Sequence, residues 1–244
     1  MSGRSALLLA CLLAGFLVWQ APARLLGVLL PDRLMLSAVS GSVWTGTAAR
    51  SVWQLDNGAL ILGRVNWRLS PLSLVLLQPT VTINMEWGGQ RLVGAFTQNL
   101  SDAAEIKDFQ AEFDTGLIRQ FLPLYIGGRI IADFSKISLA SNQLQSLDGT
   151  LTWQSAVWTA AAGDVSLGDY LLKLSGKNSQ VQGRVTTLSG GLMVAGTAAV
   201  AENNYEIDLD LSGPVTANPD LADALQLLAT PSATGFDMVM KGRL

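Results

Sequence analysis

Apolar and polar residues alternate with a period of two over much of this chain. In the stretch YEIDLDLSG, Tyr205, Ile207 and Leu209 fall on one side, and Glu206 and Asp208 fall on the other. A period of two is typical of a β-strand with one buried face and one solvated face. Similar stretches are TVTINMEW at 80–87, DGTLTWQ at 148–154, DYLLKLSG at 169–176 and LMVAGTAAV at 192–200. Turn-forming residues separate them, so the pattern predicts a run of short antiparallel strands.

Helical periodicity is sparse beyond the N-terminus. NPDLADALQLLAT, at 218–230, has a proline near its start and leucines at helical spacing, which predicts one late helix. LIRQFLPLY, at 117–125, predicts one short helical turn before Pro123. SPLSLVLLQP, at 70–79, is apolar and bracketed by prolines, and we expect a strand or an extended segment that lies on the core.

The N-terminal segment is strongly apolar. No charged residue interrupts ALLLACLLAGFLVW at 6–19, and LLGVLL at 25–30 continues this character. With residues 20–24 between them, the two runs span about 25 residues, which is more than the roughly 20 that a membrane-spanning helix needs. Two interpretations stay open: an uncleaved anchor at 5–30, which the second run favours, and a signal peptide cleaved near the APA tripeptide. Both leave residues 1–4 in the cytoplasm and send residues 31–244 across the membrane.

A five-residue pattern occurs twice. GRVNW and GTLTW each place glycine, an aliphatic residue and tryptophan at alternate positions, namely Gly63, Val65 and Trp67, and Gly149, Leu151 and Trp153. This repetition suggests two similar curved β units, and no Pro/Gly/Ser-rich linker separates the halves. The predicted fold is therefore mostly β. An N-terminal transmembrane helix is followed by one continuous, strongly bent antiparallel sheet of two similar units, with one short late helix.

The composition argues against most kinds of catalytic site. The 244 residues include no histidine, which excludes imidazole bases, Ser-His-Asp triads and the usual zinc ligands. The single cysteine, Cys11, falls in the apolar N-terminal segment, so the exported part forms no disulfide. The net charge of −3 and the absence of a Lys/Arg stripe argue against nucleic acid as a partner. We therefore expect no enzyme activity, no cofactor and no metal.

Carboxylates are the one catalytic chemistry left open. One acidic cluster is Asp102, Glu105, Asp108, Glu112 and Asp114, and a second is Glu202, Glu206, Asp208 and Asp210. Alternate residues on one strand face lie about 6.6 Å apart, and nothing in the pattern draws them into a pocket. A solvated acidic face is therefore favoured. A carboxylate-only hydrolase would require two acids from different strands to converge in a cleft.

Two motifs early in the exported part carry a resemblance to a known family. In GSVWTGTA, at 41–48, the glycines permit a bend or bulge in a strand. LILGRVNWRLSPLSLVLL follows at 60–77, and LDGTLTWQSAVW lies later, at 147–158. A Gly-x-Val-Trp-x-Gly-x-Ala stretch followed by a strand ending Trp-x-Leu-x-Pro resembles the type II secretion system protein N family. The candidate interaction or architectural residues are Gly41, Val43, Trp44, Gly46, Trp67, Pro71 and Trp153.

The resemblance implies a single-pass inner-membrane protein of Gram-negative bacteria, with a cytoplasmic N-terminus and a periplasmic β domain. It implies an accessory role in moving folded proteins from the periplasm across the outer membrane. Its partners would be other inner-membrane and periplasmic subunits of that system. No active site comes with the family, and the chain is also distantly similar to AsmA-like proteins, whose curved sheets form apolar grooves.

Two hypotheses about function follow. The first is a structural and interaction protein of the secretion apparatus, whose exposed strand edges and acidic faces meet other components. The alternative is a periplasm-facing module that binds or transfers lipid or another apolar ligand. The low charged fraction of 14% and the strands with apolar faces support this alternative.

Overall fold

The computed structural model describes residues 12–13, 15–16, 19–55, 58–99, 103–120, 125–140, 143–160, 163–201 and 204–243. This part of the chain is mainly β-strand. Its strands are β1 (Leu34–Gly41), β2 (Thr45–Leu55), β3 (Gly58–Leu69), β4 (Thr80–Trp87), β5 (Gln90–Gln98), β6 (Ala103–Asp114), β7 (Ile126–Ala140), β8 (Gln143–Ala160), β9 (Gly163–Lys177), β10 (Gln180–Gly190), β11 (Met193–Ala201), β12 (Asn204–Ser212), β13 (Thr230–Pro231) and β14 (Gly235–Arg243). The α-helices are α1 (Leu26–Leu29), α2 (Pro71–Val75) and α3 (Pro219–Gln226), and short 3₁₀ turns occupy Ala23–Leu25, Thr115–Gln120 and Pro214–Ala217.

The strand order follows the sequence. Hydrogen-bonded neighbours run from β1 to β12, and β14 and then β13 complete the order of the described strands. Sequential pairs such as β2 with β3 and β11 with β12 are antiparallel, because each strand returns beside the previous one through a short connection. The structure confirms the predicted mostly antiparallel β class with a short late helix.

The chain forms two compact units. The first comprises Met1–Gly89 with Ala95–Leu100, and the second comprises Gln90–Gly94 with Ser101–Leu244. One copy of the repeated pattern lies in β3 of the first unit, and the other lies in β8 of the second. The similarity of the two units and the strong bend of the sheet stay predictions.

The core of the first unit lies on one face of β2 and β3. Ala48, Val65 and Trp67 are buried there and pack with Ala23 from the segment that precedes β1. Val65 and Trp67 are two positions apart in β3, so the pleat turns both side chains to the same face. The alternation visible in GRVNW therefore marks the core face of this strand.

The second unit contains two hydrophobic clusters. The smaller one contains Ala111, Ala132 and Phe134 from β6 and β7. The larger one contains Ala156, Leu167, Tyr170, Leu192, Leu211, Leu221 and Phe236. Leu221 comes from α3, so the late helix packs on the apolar face of the sheet within this unit.

The late helix forms where the sequence predicts it. Pro219 occupies its first turn, where a missing N–H costs nothing, and the Asn218 side chain accepts a hydrogen bond of 3.1 Å from Leu221 N. The sequence also predicted the strands at 80–87, 148–154, 169–176, 192–200 and 205–213 in β4, β8, β9, β11 and β12. The short turn predicted within 117–125 appears as the 3₁₀ turn Thr115–Gln120, and residues 121–124 lie outside the described residues.

The prediction for residues 70–79 is wrong. They form no strand and do not lie on the core; Pro71 begins the short helix α2, and the apolar side chains after it are exposed. Pro71 occupies the first turn of α2, where the φ angle that its ring imposes fits a helix and its missing N–H costs nothing. Ser73 N donates to Ser70 O at 3.2 Å. Local proline chemistry therefore outweighed the apolar character of the stretch.

The predicted transmembrane helix at 5–30 falls largely on residues outside the described ones, including 1–11, 14, 17 and 18. Among the residues that the structure describes, no helix is both long enough and apolar enough to cross a membrane. In the described part, Gln20 N donates to Phe16 O at 3.0 Å, a helical hydrogen bond, and α1 ends at Leu29.

Candidate functional site

The two motifs that carry the family resemblance meet in the first unit. Gly46 on β2 is paired directly with Trp67 on β3. A Cβ atom added at Gly46 would overlap the Trp67 ring and approach Ser40 O to 2.6 Å. The indole N–H of Trp67 donates to Ser42 O at 3.3 Å. A residue without a side chain at position 46 is therefore what allows the indole to pack across the strand pair.

Gly41 closes the connection between β1 and β2. Its φ angle is +93°, and an added Cβ would lie 2.5 Å from Thr45 O. Val43 and Trp44 lie in this tight connection rather than within a strand, and Ser42 N donates to Thr45 O at 2.9 Å. The predicted bend is thus a turn between two strands, which positive φ and close backbone approach restrict to glycine.

The same turn is hydrogen-bonded to the N-terminal segment and to the end of β3. Val43 N donates to Ala21 O at 2.9 Å, and Leu69 N donates to Trp44 O at 2.7 Å. Leu69 is the last residue of β3, and Pro71, two residues later, begins α2. Six of the seven candidate residues, all but Trp153, therefore lie at one end of the first unit.

Trp153 lies in the second unit, where it lines a cavity of about 560 Å³. The cavity is bounded by inward-facing side chains of strands β6 to β12 and β14, and by Leu225 of α3. The lining residues are Phe113, Ile130, Leu151, Trp153, Leu167, Tyr170, Leu172, Val185, Leu192, Val194, Leu209, Leu211, Leu225 and Met238. Its volume falls in the range of about 300–1,000 Å³ that is typical of small-molecule sites.

The two polar side-chain groups of the cavity wall are already hydrogen-bonded. The Tyr170 hydroxyl donates to Leu192 O at 2.9 Å, and the Trp153 indole N–H donates to Gly127 O at 3.1 Å. The two rings are adjacent, with centroids 5.8 Å apart and planes inclined by 44°. Because these donors are used by the main chain, the wall offers a ligand hydrocarbon surface without charge.

An acidic residue supports the strand irregularity beside this wall. Asp169 accepts hydrogen bonds of 2.6 Å from Ser189 Oγ and from Ser155 N. Both bonds favour the ionised form and hold the pKa of Asp169 below its usual value. Ser155 has a φ angle of +48° and lies where β8 shifts register against β9. Asp169 thus anchors a bulge two residues after Trp153.

Stability at high pH is expected to depend on Tyr170. Burial, with a smaller contribution from the charge of Asp169, raises its pKa from 10.0 to about 12. The folded state holds this proton more tightly than the unfolded state. Its contribution to stability is therefore complete below pH 10 and is lost as the pH rises towards 12. Denaturant unfolding followed by circular dichroism should show a steeper alkaline loss for the natural chain than for Tyr170→Phe.

Tyr205→Phe is the matched control, because Tyr205 lies on β12 and does not line the cavity. It should keep the alkaline loss of the natural chain. Equal slopes for the natural chain and Tyr170→Phe between pH 10 and 12 would contradict the assignment of this proton to Tyr170.

Three glutamates of the acidic clusters form ion pairs, each with a lysine or arginine of a neighbouring strand and one also within its own strand. Glu105 binds Lys136 at 2.5 Å and Lys107 at 3.1 Å, and these two bonds lower its pKa. Glu112 binds Arg129 at 2.7 Å. In the second cluster Glu206 binds Lys241 at 2.6 Å. Asp102 and Glu202 lie outside the described residues, and no metal-binding group of three or more acidic, cysteine or histidine residues occurs among those described.

Of the seven candidate residues, only Trp153 lines the cavity. The sequence left an apolar-ligand module open as an alternative but did not locate a cavity. The available signal was the inward set of alternating positions, such as Tyr170 and Leu172 on β9 or Leu209 and Leu211 on β12. Alternation shows which side chains share a face. It does not show whether facing side chains fill the space between them, and that decides whether a cavity remains.

Comparison with known proteins gives consistent matches. The family model described as "Type II secretion system (T2SS), protein N" matches residues 32–238. A type II secretion system protein N of Aeromonas hydrophila is 26% identical over 248 residues, covering 94% of each chain. A protein of the same name from Vibrio cholerae serotype O1 is 25% identical over 219 residues, covering 84% of this chain and 83% of the relative. No solved structure matches.

The family model extends from just before β1 into β14, so it covers both compact units. It includes the paired residues Gly46 and Trp67 as well as the wall of the cavity. With a match over most of its length, this chain belongs to the type II secretion system protein N family.

Proposed function

We propose that this chain is a non-catalytic accessory component of the type II secretion system that acts in the export of folded proteins from the periplasm across the outer membrane. The observation that carries the proposal is the family match over residues 32–238. The two relatives bear the name of a component of that system. The absence of histidine and the ion pairs formed by Glu105, Glu112 and Glu206 agree with a role without catalysis.

The proposed location is the inner membrane. The apolar segment at 5–30 anchors the chain, its N-terminus stays in the cytoplasm, and residues 31–244 lie in the periplasm. Supporting this location, Leu12, Phe16 and Trp19 expose 72%, 56% and 66% of their surface. Alkaline phosphatase fused after Arg243 should be active, since it folds only outside the cytoplasm; an inactive fusion would contradict the proposed orientation.

Strand β14 supports contact with other subunits in the second unit. β12 pairs with it over its whole length, whereas β13 pairs only with Phe236 and Asp237. Among the described strands, residues 238–243 of β14 therefore have a hydrogen-bonded neighbour on one side alone. An open edge of this kind accepts an extended segment of another protein through main-chain hydrogen bonds.

Photo-crosslinking in cells tests this contact. A benzophenone amino acid replaces Val239, which is 56% exposed on β14, in the full-length chain expressed in a Gram-negative host with an intact secretion system. We expect mass spectrometry of the adducts to identify type II secretion subunits. The control position is Thr186, which is exposed on β10 between two paired strands and should give no such adduct.

Adducts that contain no secretion subunit, at Val239 or at other exposed positions, would count against the proposed role. Adducts with secretion subunits at Thr186 but not at Val239 would support the proposed role in secretion. They would contradict the proposal that the edge of β14 makes the contact.

The cavity of the second unit favours a second candidate function, the binding or transfer of an apolar ligand such as a lipid. Its wall is hydrocarbon, and its polar groups on Trp153 and Tyr170 are bound to the main chain. Such a wall favours an uncharged, flexible or flat apolar molecule. Organic extraction of the purified full-length chain, followed by mass spectrometry, should then recover one ligand class in stoichiometric amount. Recovery of only trace amounts of mixed lipid would contradict the ligand-binding function and would not affect the proposed role in secretion.

A further inference from the structure

The connection between β3 and β4 exposes an unusual amount of apolar surface. This connection, residues 70–79, contains α2 and lies within the first unit. It is called the 70–79 segment below. Its exposed fractions are 69% for Leu72, 37% for Leu74, 78% for Val75, 65% for Leu76 and 59% for Leu77. Exposed apolar residues are normally scattered singly, and a contiguous patch of this kind marks an interaction surface.

The polar groups of the 70–79 segment are largely satisfied by the segment itself. Ser73 Oγ donates to Ser70 O at 2.6 Å and accepts from Thr80 N at 2.9 Å. Gln78 N donates to Ser73 O at 2.8 Å, and Leu76 N donates to Leu72 O at 3.2 Å. Insertion into hydrocarbon requires that main-chain donors and acceptors be hydrogen-bonded within the protein. A segment that pairs its own donors and acceptors meets this requirement and can leave water without the cost of unpaired polar groups.

The 70–79 segment lies at the end of the first unit that also holds the apolar N-terminal segment. Leu69 N, next to the segment, donates to Trp44 O at 2.7 Å. The Trp44 ring lies 6.5 Å from the Trp19 ring, between centroids. Val43 N donates to Ala21 O at 2.9 Å. The turn between β1 and β2 therefore contacts both the N-terminal segment and the last residue of β3, which directly precedes the 70–79 segment.

The charge pattern around this end fits a lipid surface. No charged residue occurs from Leu69 to Met85. Two exposed arginines lie close to the apolar elements in sequence: Arg24 lies between the two runs of the N-terminal segment, and Arg68 lies two residues before the 70–79 segment. Arginine and tryptophan beside an apolar element are typical of the headgroup region, where the cation meets phosphate and the indole spans the boundary. A partner protein that bound the leucines in an apolar groove would not require arginine and tryptophan beside them, so this pattern favours lipid.

We propose that the 70–79 segment inserts its leucine and valine side chains into the surface region of the bilayer, just below the headgroups. This is the same bilayer to which the N-terminal segment is proposed to attach the chain. This second membrane contact fixes the first unit against the lipid surface instead of leaving it tethered by one segment. The proposal rests on the membrane attachment proposed above. Interfacial elements bury their apolar face about 5–10 Å into the boundary between headgroups and acyl chains.

Depth-dependent fluorescence quenching tests the insertion. The full-length chain carries Cys11→Ser and Val75→Cys, is labelled with a nitrobenzoxadiazole dye, and is reconstituted into vesicles of phosphatidylethanolamine and phosphatidylglycerol. Phosphatidylcholine with a spin label on its acyl chain serves as the quencher. The control is Ala59→Cys, exposed at the opposite end of β3. We expect several-fold stronger quenching at position 75 than at position 59, with unchanged circular dichroism.

Flotation of the same vesicles separates the two proposals. A chain that floats with the vesicles but is quenched equally at positions 75 and 59 overturns the insertion and leaves the attachment standing. A chain that does not float overturns the attachment, and the insertion with it. Protection of position 75 from aqueous iodide without quenching by the spin-labelled lipid shows a protein surface in that place and also overturns the insertion.

Discussion

Replacing Trp67 by alanine is expected to lower the free energy of unfolding of the first unit by about 3–5 kcal/mol, the usual range for deleting a buried tryptophan side chain. Trp67 is 7% exposed and belongs to the buried cluster that defines this core. The substitution removes the indole that packs on Gly46 and the hydrogen bond from its N–H to Ser42 O. It leaves a cavity that the paired strands β2 and β3 cannot close without moving their backbones.

The loss should extend to the N-terminal segment. Ala23 is 2% exposed within the same cluster, although it belongs to the short turn that precedes α1. Without the indole, this turn loses part of the surface against which it packs. Hydrogen exchange followed by mass spectrometry should therefore show faster exchange both in β2 and β3 and in residues 19–30.

Trp53→Ala is the control for Trp67→Ala. Trp53 lies on β2, is only partly buried and does not belong to the core cluster. It should cost clearly less stability and leave exchange in residues 19–30 unchanged. Equal effects of the two substitutions would contradict the conclusion that Trp67, unlike Trp53, is a core residue that supports the N-terminal segment. Circular dichroism provides the unfolding curve, because removing a tryptophan changes the fluorescence signal itself.

Filling the cavity of the second unit is expected to abolish the binding of an apolar ligand. Val185 on β10 lines the cavity, so a tryptophan at this position projects its ring into the space that a ligand would occupy. The ring would meet the apolar side chains that line the cavity. The change should therefore remove the ligand at a modest cost in stability, about 1–3 kcal/mol for an overfilled site.

Thr186→Trp is the matched control for Val185→Trp. It places the same side chain on the next residue of β10, which is exposed on the other face. The measurement is titration with an environment-sensitive apolar dye, together with mass spectrometry of extracted lipid. We expect Val185→Trp to lose dye binding and Thr186→Trp to keep it. If both variants bind like the natural chain, the cavity is not the ligand site. If Val185→Trp does not fold, Val185→Phe repeats the test with a smaller ring.

Much of the fold could be predicted because strand alternation is a local property. In β4 and β12 the period of two appears without interruption, and the structure places strands there. The late helix could be predicted because Asn218 and Pro219 supply a cap and a first turn within a few residues. Such signals depend on neighbouring residues along the chain, so no tertiary information is needed to interpret them.

The candidate sites were harder to predict because they depend on contacts between distant residues. GSVWTGTA and GRVNW are both conspicuous in the sequence, yet only the register that pairs Gly46 with Trp67 shows that one makes room for the other. The exposed leucines of the 70–79 segment looked like core residues, since an apolar side chain does not reveal whether a partner covers it. Proline geometry decided that they form a helix at the edge of the unit.

The sequence by itself determined the mostly antiparallel β class, the positions of most strands, the late helix and the family resemblance. All of these follow from local periodicity, turn chemistry and short motifs. Only the tertiary structure decided that the inward face of the second unit leaves a cavity of about 560 Å³, and that the apolar side chains of the 70–79 segment are exposed. The physical reason is that burial depends on which surfaces meet. Whether a side chain is buried is decided by residues far from it in sequence, which either fill the space around it or leave it open.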